Sequence, residues 1–146
     1  MSEQILDMSA KKIAEGVGSR KLSAFEVASA FIERIEKVNP VINAICTLSD
    51  TILEEARAID ERLASGGKPR PLEGVPFLIK DILQTKGVRT TFGSLLLEND
   101  VPDEDTISVE RLKAAGGILL GKTNTPEFAH DINTSCLLYT SPSPRD

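Results

Sequence analysis

The sequence predicts an α/β fold in which a helical arm over about residues 1–66 precedes the start of a sheet core over about residues 70–135. Three observations carry that expectation. Capped segments with apolar residues at helical spacing fill the first part of the chain, and a compact apolar run at residues 75–79 has the length of a strand. A helix and a second strand then follow, and strand, helix, strand is the order of a parallel crossover with helices on the faces of a sheet.

In the arm, a first helix is expected to start after Ser9 and to run to about Glu15, where Gly16 and Gly18 stop it. The second has a capping box, Ser23 with Glu26 three residues on, and Leu22 placed to staple onto Val27. Val27, Phe31, Ile35 and Val38 recur on one face while Glu33, Arg34, Glu36 and Lys37 take the others, until Asn39-Pro40 ends the run. Residues 42–48 read as a strand or an extended connector. Asp50 is placed to cap a third helix through Ser65, with Ile52, Ala56, Ile59 and Leu63 as its buried stripe and Gly66-Gly67 closing it. Residues 66–74, with three glycines and two prolines, read as an irregular surface loop.

The pattern changes at Val75. Residues 75–79 read as a buried strand with Pro76 near its start, where a missing donor is tolerable. Asp105 or Thr106 caps a later helix that runs through Ala115 and buries Val109 and Leu112. Gly116-Gly117 ends it before a strand at residues 118–120.

Composition narrows the function. The chain has 146 residues, a formal net charge of -5 and no basic block, which argues against direct nucleic-acid binding or an anionic lipid surface. It holds no apolar stretch long enough to span a bilayer and no signal-peptide core in its first ten residues, so a cytoplasmic location is expected. Cys46 and Cys136 lie far apart without companions at metal-ligand spacing, which suits a reducing compartment. The sole histidine, His130, makes no metal site alone, so no metal or cofactor is expected.

Residues 116–123, Gly-Gly-Ile-Leu-Leu-Gly-Lys-Thr, satisfy the spacing of a phosphate-binding P-loop. That motif needs a strand before its first glycine, a loop of exposed amides inside it and a helix starting at its lysine. Here a helix precedes Gly116, the interior Ile118-Leu119-Leu120 reads as a strand, and Pro126 follows too soon for a long helix from Lys122. A helix C-cap followed by a strand and a turn is the expected structure.

Lys80 closes the apolar run of Gly74-Val75-Pro76-Phe77-Leu78-Ile79-Lys80-Asp81, which places it at the C-terminal end of a strand, where ligands bind in parallel α/β sheets. Read alone, Lys80 is a lysine snorkelling toward Asp81 or solvent in preference to a catalytic group. The surrounding words decide between these. Pro71-Leu72-Glu73-Gly74-Val75-Pro76 with Lys80-Asp81, then Thr90-Thr91-Phe92-Gly93-Ser94, then Gly121-Lys122-Thr123-Asn124 with Glu127-Phe128, resemble the amidase signature family in order and spacing. Arg111-Leu112, Ala114-Ala115-Gly116 and, in the arm, Arg34-Ile35-Glu36, Asn39-Pro40 and Asn43-Ala44 fit the same pattern.

The resemblance implies the N-terminal part of an α/β/α fold with a mixed sheet, and hydrolysis of a carboxylic amide through a serine nucleophile, a second serine with a cis peptide bond, and a lysine. Lys80 matches that lysine, and Phe128, Ala129 and His130 would border the substrate's acyl group. The family's two serines belong to a Gly- and Ser-rich segment absent here, and Ser135, Ser141 and Ser143 do not replace them. The chain as written is therefore expected to be inactive. Its parent would be an amidase acting on small-molecule amides, with a homodimer as one possible assembly, or the A subunit of a tRNA-dependent amidotransferase, which releases ammonia from glutamine in company with partner subunits. A non-catalytic fragment or binding module is the reading from a different class. Residues 136–146 depart abruptly from the family pattern and match one reading frame of a sequencing adapter, so they are expected to be a non-native tail.

Overall fold

A computed structural model of the chain describes residues 2–131 and Leu138. The serines at 135, 141 and 143, and the expected tail over 136–146 apart from Leu138, lie outside the described residues. The elements are α1 (Ser2–Leu6), α2 (Ala10–Gly18), α3 (Ala24–Ile42), β1 (Ile45–Leu48), α4 (Ile52–Ala64), β2 (Pro76–Lys80), α5 (Ile107–Ala114) and β3 (Ile118–Thr123), with short 3-10 turns at Leu95–Leu97 and Glu127–Ala129. Among the described residues no helix is long and apolar enough to cross a membrane.

The three strands form one sheet in the order β1-β3-β2. β1 runs antiparallel to β3, with Ile45 opposite Thr123 and Leu48 opposite Gly121. β2 runs parallel to β3: Ile118 N–H donates to Val75 C=O at 2.9 Å, and further along the same pair Asp81 N–H donates to Thr123 C=O at 3.0 Å. The sheet is therefore mixed, and the expected parallel crossover through α5 is present. β3 is its buried centre, with Ile118, Leu119 and Leu120 at 2% exposure or less. β2 lies at the edge of the described sheet and is not the buried strand its apolar run predicted; Leu78 is 36% exposed.

The chain divides into two compact units. The first comprises Met1–Ile35, Asp50–Phe77 and Arg111–Leu120. Its core is one cluster that includes Ile13 and Val17 of α2, Val27 and Ala28 of α3, Ile52, Ala56, Ile59 and Leu63 of α4, and Ile118 and Leu120 of β3. The α4 stripe is the one the spacing predicted. α2 starts as expected, with Ser9 Oγ accepting from Lys12 N–H, but it continues through both glycines to Gly18. Those glycines serve packing: a Cβ at Gly16 would stand 2.7 Å from Leu22 Cδ1, and one at Gly18 3.0 Å from Pro69.

The capping box of α3 forms in both directions, Ser23 N–H to Glu26 and Glu26 N–H to Ser23 Oγ. A tertiary cap adds to it, because the Asp60 carboxylate of α4 accepts from Ser23 Oγ, Ala24 N–H and Phe25 N–H at 2.7, 2.7 and 3.1 Å. These satisfy donors that a helix start leaves without partners. Two expected boundaries move. α3 passes through Pro40 and ends at Ile42, since a proline in the last turn forfeits only one hydrogen bond, and Asn43 then closes the helix in the left-handed region at φ 47°. α4 starts from Thr51, whose hydroxyl binds Glu55, and not from Asp50.

The second unit comprises Glu36–Ser49, Leu78–Glu110 and Gly121–Asp146. It holds the β1–β3 pairing and the long segment between β2 and α5. The Asp105 carboxylate accepts Lys86 N–H at 2.8 Å, and Thr106 C=O takes the first intrahelical bond of α5, from Glu110 N–H. Val109 is fully buried as predicted, and Leu112 only half-buried.

The expected surface loop at 66–74 ends inside the first unit. Glu73 is fully buried and bound by both Arg62 and Arg70, the latter at 2.8 Å. Burial alone raises the Glu73 carboxyl, but hydrogen bonds from the Arg70 side chain and backbone and from Arg62, with the Arg70 charge, outweigh it and hold the group below 4.5. A carboxyl held lower in the folded than in the unfolded chain stabilises the fold above pH 4.5, and that contribution is lost as pH falls through the folded value. Denaturant midpoints are expected to drop below pH 4.5, with a shallower drop in Glu73→Gln, which should also cost about 1–3 kcal/mol at neutral pH. Parallel pH profiles for the two proteins would contradict this role for Glu73.

Candidate functional site

β2 delivers Lys80 to its C-terminal end and places it in solvent, and among the described residues its amine has no hydrogen-bond partner. Its backbone is held. Lys80 C=O accepts from Leu83 N–H at 3.0 Å, and the next residue is committed at every polar group. Asp81 N–H donates to Thr123 C=O, Asp81 C=O accepts Phe92 N–H at 2.9 Å, and its fully buried carboxylate accepts Thr91 N–H at 3.2 Å and the Thr91 hydroxyl at 2.5 Å. Neighbours on a strand point to opposite faces, so Lys80 turns outward as Asp81 turns inward. Asp81 is thus a ligand of Thr91 and not the ion partner of Lys80.

The loop held by Asp81 reaches the other expected site residues. Thr91 Oγ1 also accepts Gly93 N–H at 3.1 Å, and Phe92 C=O accepts Phe128 N–H at 2.8 Å. The Phe92 and Phe128 rings stand 6.0 Å apart, and Ser94 Oγ donates to Glu127 at 2.6 Å. Gly93 has φ 68°, and a Cβ there would meet Thr125 C=O at 2.8 Å, so the approach of loop and turn requires glycine. Phe92, Phe128 and Ala129 adopt left-handed φ values of 54°, 49° and 58°, each at a cost of about 1–2 kcal/mol that the surrounding bonds must offset. Phe128, Ala129 and His130 are all exposed, and two backbone hydrogen bonds, through Phe92, connect their turn to Asp81.

A second lysine plays the opposite part. Lys122 is fully buried in β3, and its amine donates to Leu83 C=O, to Thr85 Oγ1 at 2.9 Å and to Thr90 Oγ1 at 3.0 Å. The segment after Lys80 therefore wraps around the Lys122 ammonium. The P-loop spacing is accidental: Gly116 and Gly117 end α5, and Ile118–Thr123 is all strand. Gly121 has its own reason, since a Cβ there would lie 2.1 Å from Thr47 C=O on β1. The roles of Asp81, Thr91 and Lys122 were not legible in the sequence. The available signal was a charged residue continuing the buried Ile118-Leu119-Leu120 run, but its acceptors lie more than thirty residues away in the chain. Among the described residues no group of His, Cys, Asp and Glu side chains is arranged to hold a metal ion.

Comparison with known proteins identifies relatives of the chain. A family model described as Amidase matches residues 26–143. The A subunit of glutamyl-tRNA(Gln) amidotransferase from Carboxydothermus hydrogenoformans is 47% identical over 128 residues, 87% of this chain and 26% of that protein. An acylamidase of Rhodococcus erythropolis is 40% identical over 141 residues, 95% of this chain and 30% of that protein. The structure of peptide amidase from Stenotrophomonas maltophilia superimposes with a TM-score of 0.80 at 31% identity, covering 85% of this chain and 26% of that one. The chain thus spans between a quarter and a third of the length of these relatives.

Lys122→Met keeps the buried stem but leaves three oxygens without their donor. It is expected to cost about 2–4 kcal/mol and to raise amide exchange across residues 83–93 by about tenfold or more. Native-like exchange in that segment would show that the ammonium does not hold the loop.

Proposed function

The chain belongs to the amidase signature family, and from that premise we propose that it is the N-terminal portion, residues 1–135, of a cytoplasmic enzyme that hydrolyses carboxylic amides with Lys80 as its base. The observation that supports this most is the contrast between the lysines of β2 and β3. Lys122 is buried and saturated with acceptors, whereas Lys80 stands open at the C-terminal end of a strand in a parallel pair, on a backbone fixed by Asp81.

In the proposed reaction Lys80 accepts, through a middle serine, the proton of a nucleophilic serine supplied by the longer protein. The serine oxygen bonds to the amide carbon, the carbon–nitrogen bond breaks, and the proton passes to the leaving ammonia or amine. Water then cleaves the acyl-serine. Phe128, Ala129 and His130 border the acyl group in this reading, and their exposure, with the Phe128 ring beside that of Phe92, supports it. The 146-residue chain holds one member of the triad and is proposed to be inactive alone, with residues 136–146 a non-native tail.

A second reading has the same core chemistry in a different assembly. The higher identity to the amidotransferase protein than to the acylamidase favours glutamine as the ammonia source and partner subunits as its recipients. Ammonia release by the full-length parent, from simple amides and from glutamine, alone and with partner subunits, separates the two. Lys80→Ala is expected to lower kcat by about a thousandfold with its circular dichroism unchanged. Retention of more than about a tenth of native turnover would remove Lys80 from the mechanism.

A further inference from the structure

We propose that Asp81 is a positioning residue for Lys80, acting through the Thr91 hydroxyl. This rests on the reading of Lys80 as the base.

The starting point is an uncompensated burial. The Asp81 carboxylate is fully buried, and among the described residues no cation pairs with it; what it binds is the N–H and O–H of one threonine. Removing a carboxylate from water is costly, and two neutral donors offset that only in part. A role confined to filling space would be served by an apolar residue. The carboxylate's distinguishing capacity is that it accepts both Thr91 donors at once, which an amide side chain with a single oxygen does less well. With its O–H turned toward Asp81, Thr91 Oγ1 presents a lone pair to Gly93 N–H. That sets the left-handed Phe92-Gly93 turn, whose Phe92 N–H returns to Asp81 C=O and whose Phe92 C=O binds Phe128 N–H.

The result is a closed ring of bonds that begins and ends on the residue next to Lys80. Asp81 is pinned to β3 through Thr123 on one side and to the turn on the other, so the last peptide of β2 has no freedom to tilt. A displacement of about 1 Å at a reacting group can reduce turnover by a hundredfold, which gives such a ring a catalytic consequence. Lys122 secures the same loop at Leu83, Thr85 and Thr90, upstream of the ring.

The test compares Asp81→Asn, Thr91→Val, Thr91→Ser and Lys80→Ala in the complete amidase domain, with kcat and KM for a small amide and the melting temperature measured for each. Thr91→Val keeps the volume and backbone N–H but removes the hydroxyl; Thr91→Ser restores it. Asp81→Asn and Thr91→Val are expected to lower kcat by about ten- to a hundredfold with KM within about threefold, while Thr91→Ser stays within about threefold of native kcat. Should Asp81→Asn fail to fold, the Val and Ser pair at position 91 decides. Native kcat in Thr91→Val, or equal losses in Thr91→Val and Thr91→Ser, would overturn the proposal. An active Lys80→Ala would overturn the reading beneath it, whereas an inactive Lys80→Ala beside a fully active Thr91→Val would overturn the positioning role alone.

Discussion

Parallel pairing of β2 on β3 is the constraint from which the rest of the site follows. Two hydrogen bonds along that pair, Ile118 to Val75 and Asp81 to Thr123, set the direction in which β2 leaves the sheet. Because the strand alternates, the direction also decides that residue 80 turns outward and residue 81 inward. The two side chains then meet opposite requirements. A lysine in solvent needs no partner, while a buried aspartate must find donors, and the Thr90-Thr91-Phe92-Gly93-Ser94 segment supplies them.

Three ionisable groups are buried in the described structure, and each is satisfied in a different way. Glu73 takes two arginines and is a charge network internal to the helical unit. Lys122 takes three neutral oxygens and organises the segment after β2. Asp81 takes one threonine twice. Buried polar groups of this kind contribute little net stability, since desolvation opposes the bonds they make. Their effect is to exclude alternative arrangements, because an alternative backbone path would leave a buried donor or acceptor unmatched. That specificity is concentrated in the second unit, around the left-handed turn residues Phe92, Phe128 and Ala129.

Much of the architecture was legible because it is local. The Ser23–Glu26 box, the Ile52-Ala56-Ile59-Leu63 stripe and the Gly116-Gly117 stop each depend on residues within a few positions of one another. Failures came where distant chain overrides local preference. α2 runs past Glu15 and Gly16 to end at Gly18, with Leu22 packed on Gly16 and Pro69 on Gly18, and the second cap of α3 comes from Asp60 on another helix. Pro40 was tolerated because it falls in the last turn. α1 is a five-residue helix for which no cap or stripe was identified in the sequence. Motif order singles out Lys80 as a candidate, whereas the oxygens around Lys122 and the burial of Asp81 depend on pairings no spacing rule reports. The same limit explains why Lys122 lay in a phosphate-loop pattern that its surroundings exclude.

The functional reading depends on Lys80 acting at the step that forms the acyl-serine. Rapid-quench measurement of acyl-enzyme formation in the complete domain, for the native protein and Lys80→Met, tests that step without the later ones. The expected result is a burst of covalent intermediate in the native enzyme and none in Lys80→Met, with substrate binding retained. A burst of native rate and amplitude in Lys80→Met would contradict the assignment of Lys80 as the base.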